Sequence, residues 1–248
     1  MLSSLPLKKR VGRACSRFSL SQPSAVVAVS DVLAAAVQQF TDREVHIVPN
    51  HVHLESAVVA PEAPEARGED PLKLVAVGNV IHHKGPILAV ETVRELRERG
   101  IRAALTWVGT GPLLEEVRSR ASGLGVSDAI SLPGQVSPEQ IPAVLREAHV
   151  FMLPTVSETF GVAFAEALGQ GLPIVATGYG GHLGFLPEAA SRIAKERTAS
   201  SLADAVESLI SDEERWTAGE ILEHAHLCFS EETRRTAYSA IYAGLWES

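Results

Sequence analysis

The chain has 248 residues, 46% of them hydrophobic and 21% charged, enough to bury one substantial core and tight for two domains. Its formal net charge of −8 argues against a nucleic-acid partner, whose phosphates call for clustered cations, and no run approaches a membrane span or a secretory apolar segment. Cys15 and Cys228 are the only cysteines and form no disulfide or metal framework, so a reducing compartment, the cytoplasm, is expected.

The opening is basic, with Lys8, Lys9, Arg10, Arg13 and Arg17 in an otherwise acidic chain. Few and small apolar residues separate these charges, which favours a solvated helix face; weak contact with a membrane surface is the alternative. Residues 25–30 read as a strand, 31–40 as a helix, and 45–48 as a second strand stopped by Pro49-Asn50. The stretch 59–70 is rich in Pro, Glu and Ala, with few large apolar residues, and reads as a linker. Residues 74–77 form a buried strand ended by Gly78, and Lys84-Gly85-Pro86 opens a helix patterned by Ile87, Val90, Val93 and Leu96. Lys84 therefore sits at a strand-to-helix junction, where a mobile point charge suits a diphosphate, and Pro86 in the first turn gives up no needed N–H. Taken alone, such a Lys-Gly loop is more often merely solvated.

Residues 104–108 are a strand, Gly109-Thr110-Gly111-Pro112 a turn, and 113–121 a helix with Glu115, Glu116, Arg118 and Arg120 outward. As a dinucleotide fingerprint the Gly-x-Gly turn is weak, because a third glycine and a later ribose-binding acid are not in place. Residues 129–134 are the next strand, at whose C-terminal edge a ligand of an open α/β sheet would lie, and a helix starts at Ser137 with Pro138 in its first position and runs to Ala148. Residues 150–153 are a short apolar run stopped by Pro154, and 161–168 carry helix formers before two closing glycines. That strand-loop-helix corner holds two acids. Glu158 precedes the helix and Glu166 lies inside it, so both can reach one cleft, where a carboxylate can accept both hydroxyls of a ribose diol and unpartnered helical N–H groups can hold a phosphate or sugar. Gly161 permits close approach.

Further on, Leu202, Ala205, Val206, Leu209 and Ile210 form a helix stripe, and Tyr238, Ile241, Tyr242 and Leu245 recur at three-to-four spacing and are expected to be core. His51, His53, His82 and His83 raise the question of a metal, but no local acid or cysteine completes a ligand set and none is expected. His224, His226 and Cys228 step by two along a helix and are read as facing different ways.

A bare Glu-x7-Glu is usually a surface acid and an ordinary helical one. Here the residues around it fall into order: Phe160-Gly161 after the first acid, Gly171-Leu172-Pro173-Ile174-Val175 after the second, then Gly180-Gly181. This arrangement closely resembles the signature of retaining glycosyltransferase family 4. The resemblance implies that the loop with Thr159, Phe160, Gly161 and Val162 holds the donor sugar, with Glu158 as the catalytic residue, and that Glu166 holds the nucleotide ribose. The family places Gly-Arg before the first loop and Lys-Gly after it, both cations facing the donor diphosphate. Here these are Gly78-Asn79 and Lys84-Gly85, so one cation is missing; Asn79 donates a hydrogen bond but neutralises no charge. Backbone recognition of the base is implied near Gly134, Gln135 and Val136, where a plain Pro-Gly turn is equally compatible. Where the family usually continues Asn-Gly-Val-Asp, this chain has Asn50-His51-Val52-His53.

The implied fold is α/β: a Rossmann-like parallel sheet with helices on both faces, the C-terminal half of a GT-B fold, behind a small N-terminal α/β remnant. Residues 1–58 are read as the remnant of an acceptor domain, 59–70 as the linker, 71–230 as the nucleotide-sugar-binding domain and 231–248 as a bracing helix. The implied reaction transfers a sugar from a nucleoside diphosphate sugar to an acceptor hydroxyl with retention, without metal or other cofactor. The resemblance covers only the second half of a family enzyme, so the chain is expected to be incomplete alone, with a separate N-terminal acceptor domain or self-association as its partner. Three alternatives stand beside this: a non-catalytic donor-binding subunit, an inactive remnant, and a nucleotide-sugar epimerase.

Overall fold

The computed structural model describes residues 7–52, 54 and 70–246, and side chains from residue 12 onward within that range. The side chains of Lys8, Lys9 and Arg10, together with His53 and all of the expected linker but Asp70, lie outside the described residues.

Helix α1 (Leu7–Ser21) comes first, with the Arg13 guanidinium 5.4 Å from the centre of the Phe40 ring. Strand β1 (Val26–Ala28), helix α2 (Asp31–Gln38) and strand β2 (Val45–Ile47) form a small unit whose two strands pair in parallel, Val26 opposite Val45. Then follow β3 (Leu72–Val77), α3 (Pro86–Glu98), β4 (Ala103–Val108), α4 (Leu114–Gly123), β5 (Ile130–Gly134), α5 (Ile141–Arg146), β6 (Val150–Leu153), α6 (Val162–Leu168), β7 (Ile174–Thr177), β8 (Ser191–Ala194), α7 (Ala199–Ile210), α8 (Ala218–Phe229) and α9 (Glu231–Trp246).

Strands β3 to β8 make one all-parallel sheet in the order β5-β4-β3-β6-β7-β8. Strands inside a parallel sheet are covered on both faces, and the inner strands β6 and β7 are buried at every position. Helices α3, α4 and α7 pack as one group, and α5, α6 and α8 as the other. Val90, Val93 and Leu96 of α3 are fully buried, as are Leu202, Val206 and Leu209 of α7, so the two apolar stripes read from the sequence seat their helices on the sheet. The α/β architecture expected from the sequence is the one observed. The start at Ser137 is also present: Ser137 and Gln140 form a reciprocal capping box, which leads through one 3-10 turn into α5.

Two expectations are corrected. No residue of α9 is buried; Tyr238 and Tyr242 are 37% and 60% exposed and stack on each other at 6.5 Å. A helical period marks a shared face, and that face becomes core only where another element lies on it. His224 and Cys228 do not diverge. They are four residues apart, one turn along the same face of α8, with Cys228 Sγ 3.6 Å from His224 Nε2. Among the described residues no helix is long and apolar enough to cross a membrane.

Candidate functional site

In an open parallel sheet the loops leaving neighbouring strands part where the strand order reverses, and the crevice lies at the C-terminal strand ends. Here the reversal falls between β3 and β6, where a cavity of about 550 Å³ opens. Gly78, Asn79 and Lys84 reach it from the β3 side, Glu158 to Phe164 and Glu166 from the β6 side, and Val29 and Asn50 from the N-terminal unit. The residues singled out on the two loops and α6 thus meet around one space. Gly134 and Gln135 do not join that lining, because β5 stands two strands away at the sheet edge. Glu166 also edges a smaller hollow of about 210 Å³ with Pro138, Glu139, Ile141 and Gln170, on the side of the β5–α5 connection.

The β3 loop is fixed from its neighbour. Trp107, fully buried on β4, donates from its indole N–H to the Gly78 carbonyl at 2.9 Å, and Val80 N donates to Thr110 O at 2.9 Å. Side chains on Gly109 and Gly111 would collide with the Gly78 and Val80 carbonyl oxygens, so the Gly-x-Gly turn is explained by this close packing of two loops. Beyond it, residues 82–84 form a 3-10 turn, Gly85 takes φ +76°, and Pro86 begins α3. A Cβ on Gly85 would collide with the Pro154 carbonyl, so the turn presses directly on the β6 loop.

That contact joins the two loops through polar groups. Lys84 Nζ lies 2.5 Å from Glu158 Oε1, a pair mostly shielded from water. The His83 carbonyl accepts from Val156 N at 2.7 Å, and His83 Nε2 lies 2.7 Å from Ser157 O. Beneath them runs a buried chain of hydrogen bonds: His182 Nε2 donates to Thr177 O at 3.1 Å, and Thr177 Oγ1 donates to Thr155 O at 2.5 Å. Thr155 Oγ1 in turn lies within 3.2 Å of the His83 and Ser157 carbonyls. The glycine pair closes the floor. Gly181 N donates to Glu158 O at 2.8 Å, and a side chain on Gly180 would collide with the Glu158 backbone. Phe160 is anchored by its ring, which packs against Phe185 and Phe229 at 4.9 and 6.0 Å.

Electrostatically the cleft is mixed. Burial raises the Glu166 carboxyl above the usual carboxylate range. Burial also lowers the His182 imidazole below its usual value, against the Thr177 carbonyl bond and the charge of Glu158, which work the other way. The ring stacks on Phe164 at 4.4 Å, and with Nε2 committed to Thr177 its Nδ1 has no hydrogen-bond partner among the described residues. Sequence reasoning missed His182, Thr177 and Trp107, and the Gly180-Gly181 pair was the only nearby signal. Among the described residues no group of three or more His, Cys, Asp and Glu side chains is gathered to hold a metal ion.

An all-parallel sheet whose one reversal carries a polar crevice defines a Rossmann-like α/β domain. The sequence matches the model of glycosyl transferases group 1 over residues 61–220, and the chain belongs to that family. It is similar to the GDP-mannose-dependent alpha-(1-6)-phosphatidylinositol monomannoside mannosyltransferase of Mycobacterium tuberculosis, 32% identical over 163 residues, covering 61% of this chain and 41% of that protein. It is also similar to the 2-deoxystreptamine glucosyltransferase of Streptomyces kanamyceticus, 29% identical over 176 residues, covering 68% and 44%. Among solved structures, HepE of Anabaena in complex with UDP and glucose superposes with a TM-score of 0.78 at 15% identity, covering 96% of this chain and 67% of that one. The chain spans about two-fifths of the length of the curated relatives it matches.

Proposed function

We propose that the cleft between β3 and β6 binds a nucleoside diphosphate sugar, and that the chain takes part in transferring the sugar to an acceptor hydroxyl with retention, in the manner of glycosyltransferase family 4. The observation that carries this reading is the convergence of Lys84, Glu158 and Glu166 on one cavity at the switch point of the sheet. Glu166 is suited to accept the two ribose hydroxyls, and Lys84 to face the diphosphate. Glu158, paired with Lys84, is suited to act on the sugar or on the charge that develops at its anomeric carbon. In such a transfer the bond from the anomeric carbon to the diphosphate oxygen breaks, and the diphosphate leaves with the electron pair. The acceptor oxygen bonds to the same face, and its proton passes to the departing phosphate. Among the described residues lining the cavity, Lys84 is the cation that meets that charge, and Asn79 supplies no second one.

Support from relatives is of two kinds: the mannosyltransferase is named for a GDP-mannose donor, and HepE was solved with UDP. The base therefore stays open, and both are tested. Titration calorimetry of the full chain with UDP, GDP, UDP-glucose and GDP-mannose should give saturable binding to at least one. Glu166→Ala should weaken it about ten- to a hundredfold, the worth of a charge-assisted hydrogen bond. Absence of binding to all four would refute the donor reading. A second reading, nucleotide-sugar binding without transfer, is favoured by Asn79, and an acceptor panel assayed alongside separates the two.

A further inference from the structure

Ser30 of the N-terminal unit makes a polar contact with the loop that carries Glu158. Ser30, which is 6% exposed, begins α2 as its N-cap and accepts from Leu33 N at 3.2 Å. Its hydroxyl proton is directed away from that helix. It is donated across 129 residues of sequence to the carbonyl oxygen of Thr159, at 2.5 Å, in the middle of the loop that carries Glu158. The contact is closed from below, where Gly181 leaves room for both partners: a Cβ there would lie 2.6 Å from the Ser30 hydroxyl and collide with the Thr159 carbonyl. The same Gly181 donates its own N–H to Glu158 O at 2.8 Å. Three segments far apart in sequence are thus interlocked around two consecutive carbonyls of the donor loop.

We propose that Ser30 is a positioning residue of the donor cleft, its hydroxyl fixing the Thr159 carbonyl and through it the carriage of Glu158, so that the N-terminal unit is a working part of nucleotide-sugar binding. This rests on the donor reading above. A serine that only capped a helix would leave its proton to water. Here it is committed to the Thr159 carbonyl, in a part-buried contact packed against Gly181.

Ser30→Ala removes both the donor and the cap, Ser30→Gly removes the donor and retains most of the cap, and Ser30→Thr keeps both functions. In the free full chain, hydrogen exchange at the Gly181 amide should quicken about fivefold or more in the Ala and Gly variants and stay at the wild-type rate in Thr, as expected for the loss of one hydrogen bond. Affinity for UDP or GDP should fall about five- to tenfold in the same two variants and recover in Thr. A helix cap alone would lower thermal stability more in Ala than in Gly and leave exchange and affinity unmoved; that result overturns the proposal. The exchange arm needs no ligand. Wild type binding neither nucleotide would sink the donor reading and with it the role of Ser30 in binding, whereas binding with unchanged exchange and affinity in Ser30→Gly would sink the role of Ser30 alone.

Discussion

At the scale of single residues, Glu166 carries the clearest trade between stability and binding. Its pKa is raised by burial, so the folded state is penalised above the ordinary carboxylate range and relieved as pH falls. Glu166→Gln should therefore unfold at higher urea than wild type at neutral pH, lose that advantage in acid, and bind UDP or GDP more weakly throughout. A variant no more stable than wild type would mean that the carboxylate is solvated. Because a carboxylate is the stronger acceptor, wild-type affinity should begin to decline at a pH above the ordinary glutamate range, while the Gln variant stays flat over that interval. Asn79→Arg is the complementary test. Asn79 is exposed on the cavity wall, and a second cation there should tighten diphosphate binding; unchanged affinity would place Asn79 off the phosphate path. That both acids and Lys84 line one cavity was legible in the sequence because Lys84 and Glu158 sit at turns punctuated by Gly78, Gly85-Pro86 and Gly161, and Glu166 lies in the helix that Gly161 starts. His182 was not. Nothing about a His after two glycines says that its ring will lie flat on Phe164, since that contact depends on how β7 pairs with β6.

At the scale of elements, glycines separate tight loop packing from free space. Gly111→Ala should cost about 1–3 kcal/mol as the β3 and β4 loops are forced apart, and Gly181→Ala should in addition abolish nucleotide binding. Gly123, exposed on α4 with nothing within 4 Å of where an added methyl would sit, gives the opposite sign: Gly123→Ala should stabilise by about 0.4–1 kcal/mol. Urea unfolding of the three variants checks the ordering. The last two helices differ in the same way. Phe229 of α8 is buried against Phe160 and Phe185, so Phe229→Ala should cost about 3–5 kcal/mol and loosen the donor loop. Tyr242 on α9 is 60% exposed, and Tyr242→Ala should stay within about 0.5 kcal/mol. Period reveals which residues share a face, and only the tertiary arrangement decides whether that face is covered. For α3 and α7 burial follows from the sequence, because a parallel sheet must be covered on both sides. For α9 no such requirement applies.

At the scale of the whole molecule, two buried histidines set the response to acid. His149 and His182 both have pKa values lowered by burial, so the unfolded chain takes up their protons at an ordinary 6.5 while the folded chain does not. The stability they allow is complete above that value and is lost as pH falls through it, with a slope of at most about 1.4 kcal/mol per pH unit for each ring. Urea unfolding between pH 7.5 and 5.5 measures the slope, and a constant free energy across the window would mean that both rings are accessible to protons in the folded state. The sheet order has a consequence for how the protein assembles. Strands β3, β4 and β5 zip by successive crossovers, as do β6, β7 and β8, while the single seam between them pairs Leu74 with Val150 from distant parts of the chain. Closing so long a loop is the slow, entropically costly event in such a topology, so the seam is expected to form late. The cleft lies on that seam and does not exist in either half-sheet. A ligand seated there would therefore recognise only the joined molecule: it should slow unfolding in proportion to its occupancy and leave the refolding rate almost untouched, making the nucleotide a kinetic lock on the fold.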